Sequence, residues 1–151
     1  QFDMVRLGIG MHGFSVVSNP AFMPTVQLKT IISQIKNVSV GDTIGYSRKG
    51  VVTRNTKLAT VPIGYADGFS RKLGNGVGAM FVNGKIAQTI GNICMDMTML
   101  DITDIEAEEG DEVVVFGEGY PIAALAKAAT TIPYEILTNM SSRIKRVYYQ
   151  E

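Results

Sequence analysis

The chain has 151 residues and a mass of 16.3 kDa, enough for one domain with a core of its own. Hydrophobic residues make up 46% and charged residues 19%, a balance that excludes a disordered polymer. Lys plus Arg and Asp plus Glu each total 14, so no net charge draws the chain to nucleic acid or to an anionic membrane. Cys94 is the single cysteine and His12 the single histidine. An intrachain disulfide is therefore excluded, a reducing compartment is the simpler reading, and a structural zinc site cannot be built from this pair alone. No apolar run approaches the ~20 residues of a membrane span. The opening Gln1-Phe2-Asp3-Met4-Val5-Arg6 has neither an initiator Met nor a basic leader with an apolar stretch, and is read as a chain that starts inside an element of something larger.

In chain order, Phe2 to Ile9 reads as a strand closed by Gly8-Ile9-Gly10. Asn19-Pro20 and Pro24 mark an irregular link. Val26, Leu28, Thr30 and Ile32 alternate with polar or smaller residues, the pattern of a half-buried strand. Val40-Gly41-Asp42 is a turn, and Lys57 to Ile63 a strand ended by Gly64. Gly74 to Gly78 is a loop, and Val82-Asn83-Gly84-Lys85 carries the Asn-Gly pair of a two-residue hairpin. Met97 to Ile102 and Glu112 to Phe116 are further strands. Strands in such close succession predict a mainly β fold, an antiparallel barrel or sandwich. Pro121 and the alanine-rich stretch after it favour a helix, and a second short helix is expected from Pro133 to about Thr138. Arg143 to Tyr149 reads as a return to strand. The acidic run from Asp101 to Glu112 is read as a solvated loop turning at Gly110; it lacks the spacing of a calcium-binding hand.

Gly8-Ile9-Gly10-Met11-His12-Gly13 spells a glycine fingerprint. A dinucleotide site also needs a following helix and an acid about 20 residues on. The residues after Gly13 are poor helix formers, and no Asp or Glu lies between Asp3 and Asp42, so a nicotinamide site is disfavoured. Free backbone N–H groups at this turn could still hold another phosphate. His12 has no nearby nucleophile and reads as a packed or surface side chain; Cys94, between Ile93 and Met95, reads as an inert buried thiol. The segments Gly64-Tyr65-Ala66-Asp67-Gly68 and Gly91-Asn92-Ile93-Cys94-Met95-Asp96 are, by spacing alone, turns on a β framework, a binding surface with no stated ligand.

Taken together and in order, five segments resemble the C-terminal part of alanine racemase, an enzyme family that uses pyridoxal 5'-phosphate. They are Val5-Arg6-Leu7-Gly8-Ile9-Gly10-Met11-His12-Gly13, Ile44-Gly45-Tyr46-Ser47-Arg48, Pro62-Ile63-Gly64-Tyr65-Ala66-Asp67-Gly68, Gly91-Asn92-Ile93-Cys94-Met95-Asp96 and Ile132-Pro133-Tyr134-Glu135. The resemblance implies the tail of a cofactor-bearing α/β barrel over residues 1–16 and the family's β domain over 17–151. It implies no metal. The family's cofactor-bearing lysine lies in the barrel and is not in this chain. The family forms a head-to-tail homodimer whose sites are shared between one barrel and the partner's β domain, in the cytoplasm of bacteria that make D-alanine for peptidoglycan.

Racemisation of L- and D-alanine needs a proton removed from one face of Cα and delivered to the other. By resemblance the barrel lysine serves one face and Tyr46 the other, at the partner's site. An ordinary tyrosine titrates near ~10, so activation is required, and in the family a barrel histidine supplies part of it. The resemblance assigns Arg6 to the cofactor ring nitrogen, the Gly8 and Ile9 N–H groups and the Tyr134 hydroxyl to its phosphate, and the Met95 N–H to the substrate carboxylate. Tyr65, with Tyr134, narrows the entrance, and Arg71 and Ile132 stand further out. Three positions depart from the family: Ser47 replaces a usual Gly, His12 a usual Tyr, and Asn92 an Arg common in the outer corridor. A different class stays open beside the enzyme: a catalytically silent β module for dimerisation or regulation.

Overall fold

The computed structural model describes residues 3–14 and 23–149. Phe2, the Asn19-Pro20 link and the boundary expected near residue 16 lie outside them. Among the described residues nine strands are formed: β1 (Leu28–Ile31), β2 (Gln34–Val38), β3 (Thr43–Ile44), β4 (Gly50–Val51), β5 (Thr56–Val61), β6 (Ala79–Val82), β7 (Lys85–Thr89), β8 (Thr98–Asp101) and β9 (Glu112–Phe116). Two short helices follow, α1 (Ile122–Ala128) and α2 (Pro133–Thr138).

Seven strands form one sheet in the order β1-β9-β6-β7-β8-β5-β2, with every pairing antiparallel. The two end strands, β1 and β2, are consecutive in the chain and separated only by Ile32 and Ser33. A two-residue link between the outermost strands curls the sheet into a half-barrel. Ile32 donates to Asp111 O on the β9 side, and Ser33 donates to Thr60 O on the β5 side, both at 2.9 Å. The linker thus stitches both ends of the sheet, and no long unpaired edge is left at that seam.

The Asn83-Gly84 turn joins β6 to β7 with both residues at positive φ, 44° and 83°, and pairs Val82 with Lys85 as the spacing predicted. The Lys57–Ile63, Met97–Ile102 and Glu112–Phe116 runs appear as β5, β8 and β9. These strands lack clean alternation because both faces are buried. Ala59 and Val61 on β5 and Leu100 on β8 face the main core, with Phe69, Met80, Val113, Val115 and Phe116. Leu58 and Met99, one residue out of phase, face a smaller second core with Ile44, Val52 and Cys94. The β3–β4 ribbon is what covers the second face. In α1, Ile122, Leu125 and Ala126 recur at helical spacing and seal the main core.

Some expectations are corrected. Residues 3–8 form no strand, and Ile9–His12 is a 3-10 turn ended by Gly13. A strand needs a hydrogen-bonded neighbour, and none of the described residues offers one there. Residues 143–149 also form no strand; Arg143 is instead drawn to two carboxylates. Pro121 caps α1 rather than opening it, whereas Pro133 is the first residue of α2. Strands β2, β3 and β4 were not legible in the sequence. The acidic run is a loop between β8 and β9, with Asp101 and Glu112 at the strand ends.

Candidate functional site

Tyr46 sits at the tip of the β3–β4 ribbon, 72% exposed, above an open cavity of about 460 Å³. Ile44, Leu58, Cys94 and Met99 from the second core form the apolar floor of that cavity, and Lys36 stands at its side. The turn itself is strained. Ser47 and Arg48 both adopt the left-handed region, at φ 60° and 51°, which costs a non-glycine residue about 1 kcal/mol. Ser47 is the position where the family resemblance led us to expect Gly. The turn is fastened to the Gly91–Asp96 strip: the Asn92 side-chain amide donates to Tyr46 O at 3.0 Å, and the Asn75 amide donates to Asn92 Oδ1 at 3.0 Å. Gly91 is required for this approach, because a Cβ there would lie 2.9 Å from Ile44 O and its φ is 75°.

The same strip holds Tyr65. The Tyr65 and Ala66 N–H groups donate to Cys94 O and Met95 O, each at 3.0 Å, so the Tyr65 turn lies directly on the Met95 segment. Asp67 closes the turn from below by accepting the Gly64 N–H at 2.8 Å. Arg143 then bridges the two segments, reaching Asp67 Oδ1 through Nε and Asp96 Oδ1 through Nη2, both at 2.7 Å. Burial pushes the Asp67 carboxyl upward, but the Arg143 guanidinium and the Gly64 N–H outweigh it and hold it below the ordinary carboxylate range. Asp67 and then Asp96 hold the Arg143 guanidinium charged. Among the described residues no acceptor takes the Met95 N–H. Cys94 is buried; that burial raises its thiol pKa, against a small opposing pull from Arg71 on the neighbouring 3-10 turn.

A second group lies at the N-terminal turn. A Cβ on Gly8 would fall 2.7 Å from Tyr134 Oη, so the tyrosine hydroxyl reaches the Gly8 backbone. Among the described residues the Gly8 and Ile9 N–H groups have no acceptor. Ile132, 59% exposed, precedes α2, which carries Tyr134 in its first turn. Arg6 is exposed and forms no ion pair among the described residues, not even with Asp3.

The structure therefore brings Tyr46, Tyr65, Met95 and Arg71 around one strip, and Gly8, Ile9 and Tyr134 around another point. No hydrogen bond joins Tyr65 to Tyr134 among the described residues; α2 links the two groups, with Asn139, the residue that follows it, against Gly68. Sequence reasoning missed Arg143, Asp67 and Asn75. The acids Asp67 and Asp96, one in each signature turn, were the available signal for a shared cation. Among the described residues, no three His, Cys, Asp or Glu side chains converge as metal ligands, and no helix is long and apolar enough to cross a membrane.

Comparison with known proteins bears on the whole chain. The family model described as "Alanine racemase, C-terminal domain" matches residues 25–148. Alanine racemase 2 of Caldanaerobacter subterraneus subsp. tengcongensis is 44% identical over 97% of this chain, which corresponds to 40% of that protein. The alanine racemase structure from D-cycloserine-producing Streptomyces lavendulae superposes with a TM-score of 0.92 at 37% identity, covering 99% of this chain and 42% of that one. The Bartonella henselae enzyme, solved with covalently bound pyridoxal phosphate, gives 0.89 at 33% identity over 94% of this chain and 40% of its own. The chain spans about two fifths of the length of these relatives. With its half-barrel and all five signature segments, it belongs to the alanine racemase C-terminal domain family.

Proposed function

We propose that the chain is the working C-terminal domain of a pyridoxal-phosphate-dependent alanine racemase, interconverting L- and D-alanine together with a lysine-bearing barrel. The observation that carries this reading is the Asn92–Asp96 strip. It fastens the exposed Tyr46 turn at one end and offers the unclaimed Met95 N–H at the other. A base whose turn is fastened to one end of the strip and a carboxylate-binding donor at the other end suit a substrate as small as alanine.

The residues of the N-terminal turn fit the cofactor's phosphate. Gly8 leaves room that a side chain would fill, the Tyr134 hydroxyl points at it, and two backbone N–H groups have no acceptor among the described residues. Gly8, Ile9 and Tyr134 would hold the phosphate, and Arg6 would stand by the ring nitrogen and disfavour its protonation. When bound, the cofactor supplies an electron sink that makes the α-proton of the amino acid removable. Tyr46 holds the proton at its Oη on one face of Cα, and the Met95 N–H orients the carboxylate. Tyr65 and Tyr134 narrow the entrance against larger side chains, with Arg71 and Ile132 further out.

As the family resemblance implies, the two groups of residues serve different sites in a head-to-tail homodimer. Tyr46 and Met95 would act in the partner's site; Arg6, Gly8, Ile9 and Tyr134 would act in their own. The chain alone is expected to be inactive, and the assembled enzyme cytoplasmic. In the full-length enzyme, Tyr46→Phe should lower racemisation by ~10²–10⁴ while cofactor stays bound. Exchange of the α-proton with deuterated solvent should slow for one enantiomer only. Equal slowing of both single-turnover half-reactions would reduce Tyr46 to a packing residue and overturn the reading.

A further inference from the structure

We infer that Asn92 is a positioning residue for Tyr46, and that Asn75 sets its direction; the inference rests on the reading of Tyr46 as the base. The Tyr46 turn places two successive non-glycine residues, Ser47 and Arg48, in the left-handed region. Such conformations persist only where surrounding contacts over-determine them, and they gather at sites of function. Within the turn, Arg48 N donates to Gly45 O at 3.3 Å, a long bond. The Asn92 amide supplies the shorter tie, 3.0 Å to Tyr46 O, on the reactive residue's own carbonyl.

The chemistry of that tie leaves no freedom in the amide. A backbone carbonyl only accepts, so Asn92 must present its NH₂ to Tyr46 and turn its oxygen away. The oxygen meets the Asn75 NH₂ at 3.0 Å. Asn75 is in turn anchored by its own N–H on Gly91 O at 2.9 Å, one residue before Asn92. The three residues form a relay in which each donor has one acceptor. At position 92 the side chain is turned to the Tyr46 carbonyl. The departures at Ser47 and Asn92 become one device, a strained turn and the side chain that holds it.

The experiment uses the full-length enzyme and four variants. Asn92→Asp keeps the shape but sets a carboxylate oxygen against Tyr46 O. The expected result is a kcat lowered roughly tenfold to hundredfold with KM within about twofold, the pattern of an interaction that matters in the transition state. Solvent isotope exchange should slow on the same enantiomer as in Tyr46→Phe. Asn75→Ala should follow in the same direction with a smaller effect. Because Gly adopts the left-handed region freely, adding Ser47→Gly to Asn92→Asp should restore most of the lost kcat, which a merely structural role would not allow. Asn92→Asp with an unchanged kcat, alongside a Tyr46→Phe that is inactive, would overturn the inference and leave the base assignment standing. A Tyr46→Phe that exchanges normally on both faces would overturn both.

Discussion

The strip that carries Tyr46, Tyr65 and Met95 and the segment that carries Arg6 and Gly8 are held in different ways. The strip rests on strands buried from both sides, the main core beneath one face of β5 and β8 and the second core beneath the other. Its side chains gain their geometry from this chain alone. Residues 3–8 have no such support among the described residues: Met4, Val5 and Leu7 are 81%, 72% and 72% exposed, and no described strand pairs with their backbone. Only the turn from Gly8 to Phe14 is ordered by its own bonds, with Phe14 packed on the main core and Thr25 N–H donated to His12 O. One proposed half-site is thus made by the fold, and the other is an apolar segment that the described residues leave exposed.

The largest expected effect tests that contrast directly. Leu100 is fully buried on β8, an inner strand of the sheet, and Leu100→Ala should cost about 3 kcal/mol or more in denaturant unfolding of the chain. Leu7→Ala, a deletion of the same atoms, should change stability by less than ~0.5 kcal/mol. A comparable loss at Leu7 would mean that the N-terminal segment is packed in solution and that the contrast fails.

A smaller effect concerns the Arg143 bridge. Asp67 is buried, and its carboxyl is held below its ordinary value. A group whose pKa falls on folding stabilises the native state above its unfolded pKa, near ~4, and loses that contribution as pH falls through the folded value. Asp67→Ala should therefore cost about 2 kcal/mol at neutral pH, where Gly64 N–H and Arg143 lose their acceptor. Unfolding measured from pH 7 down to 3 should show the gap between the two proteins closing on the acid side. A gap independent of pH would assign the loss to packing rather than to the charged carboxylate.

These two tests also mark what the sequence could and could not reveal. The strands with both faces buried were readable as apolar runs, and the Asn83-Gly84 hairpin was readable from two residues, since local chemistry decides both. The five signature segments named the candidate site residues, whose roles are proposals, because each segment is contiguous. The Asn75–Asn92–Tyr46 relay and the Arg143 bridge join residues up to 76 positions apart, and nothing in local propensity encodes such pairings. The short strands β2, β3 and β4 escaped notice for a related reason. β2 takes its register from β5, and the two-residue β3 and β4 exist as a ribbon over Leu58 and Met99. The strand expected before Gly8 failed in the opposite sense: its sequence is strand-like, but pairing needs a neighbour that none of the described residues provides.

The smallest effect on stability carries the sharpest test of the N-terminal half-site. Gly8 has φ −100°, outside the left-handed region that favours glycine. The new Cβ would meet Tyr134 Oη at 2.7 Å and the ring carbon that bears it only at 3.9 Å. Tyr134 is 39% exposed, and its hydroxyl is the far end of a side chain that can swing aside. Stability should then shift by less than ~0.5 kcal/mol. If that hydroxyl holds the cofactor's phosphate, swinging it away should weaken pyridoxal phosphate binding to the full-length enzyme about tenfold, the ~1.4 kcal/mol of one hydrogen bond to a charged group. Tyr134→Phe should weaken binding by a similar factor, by removing the same hydroxyl. The double variant decides the matter: with no Oη for the Cβ to displace, Gly8→Ala should cost nothing further, so the two losses do not add. Additive losses would mean that Gly8 and Tyr134 act on the phosphate independently, and that their contact in the fold is incidental to it.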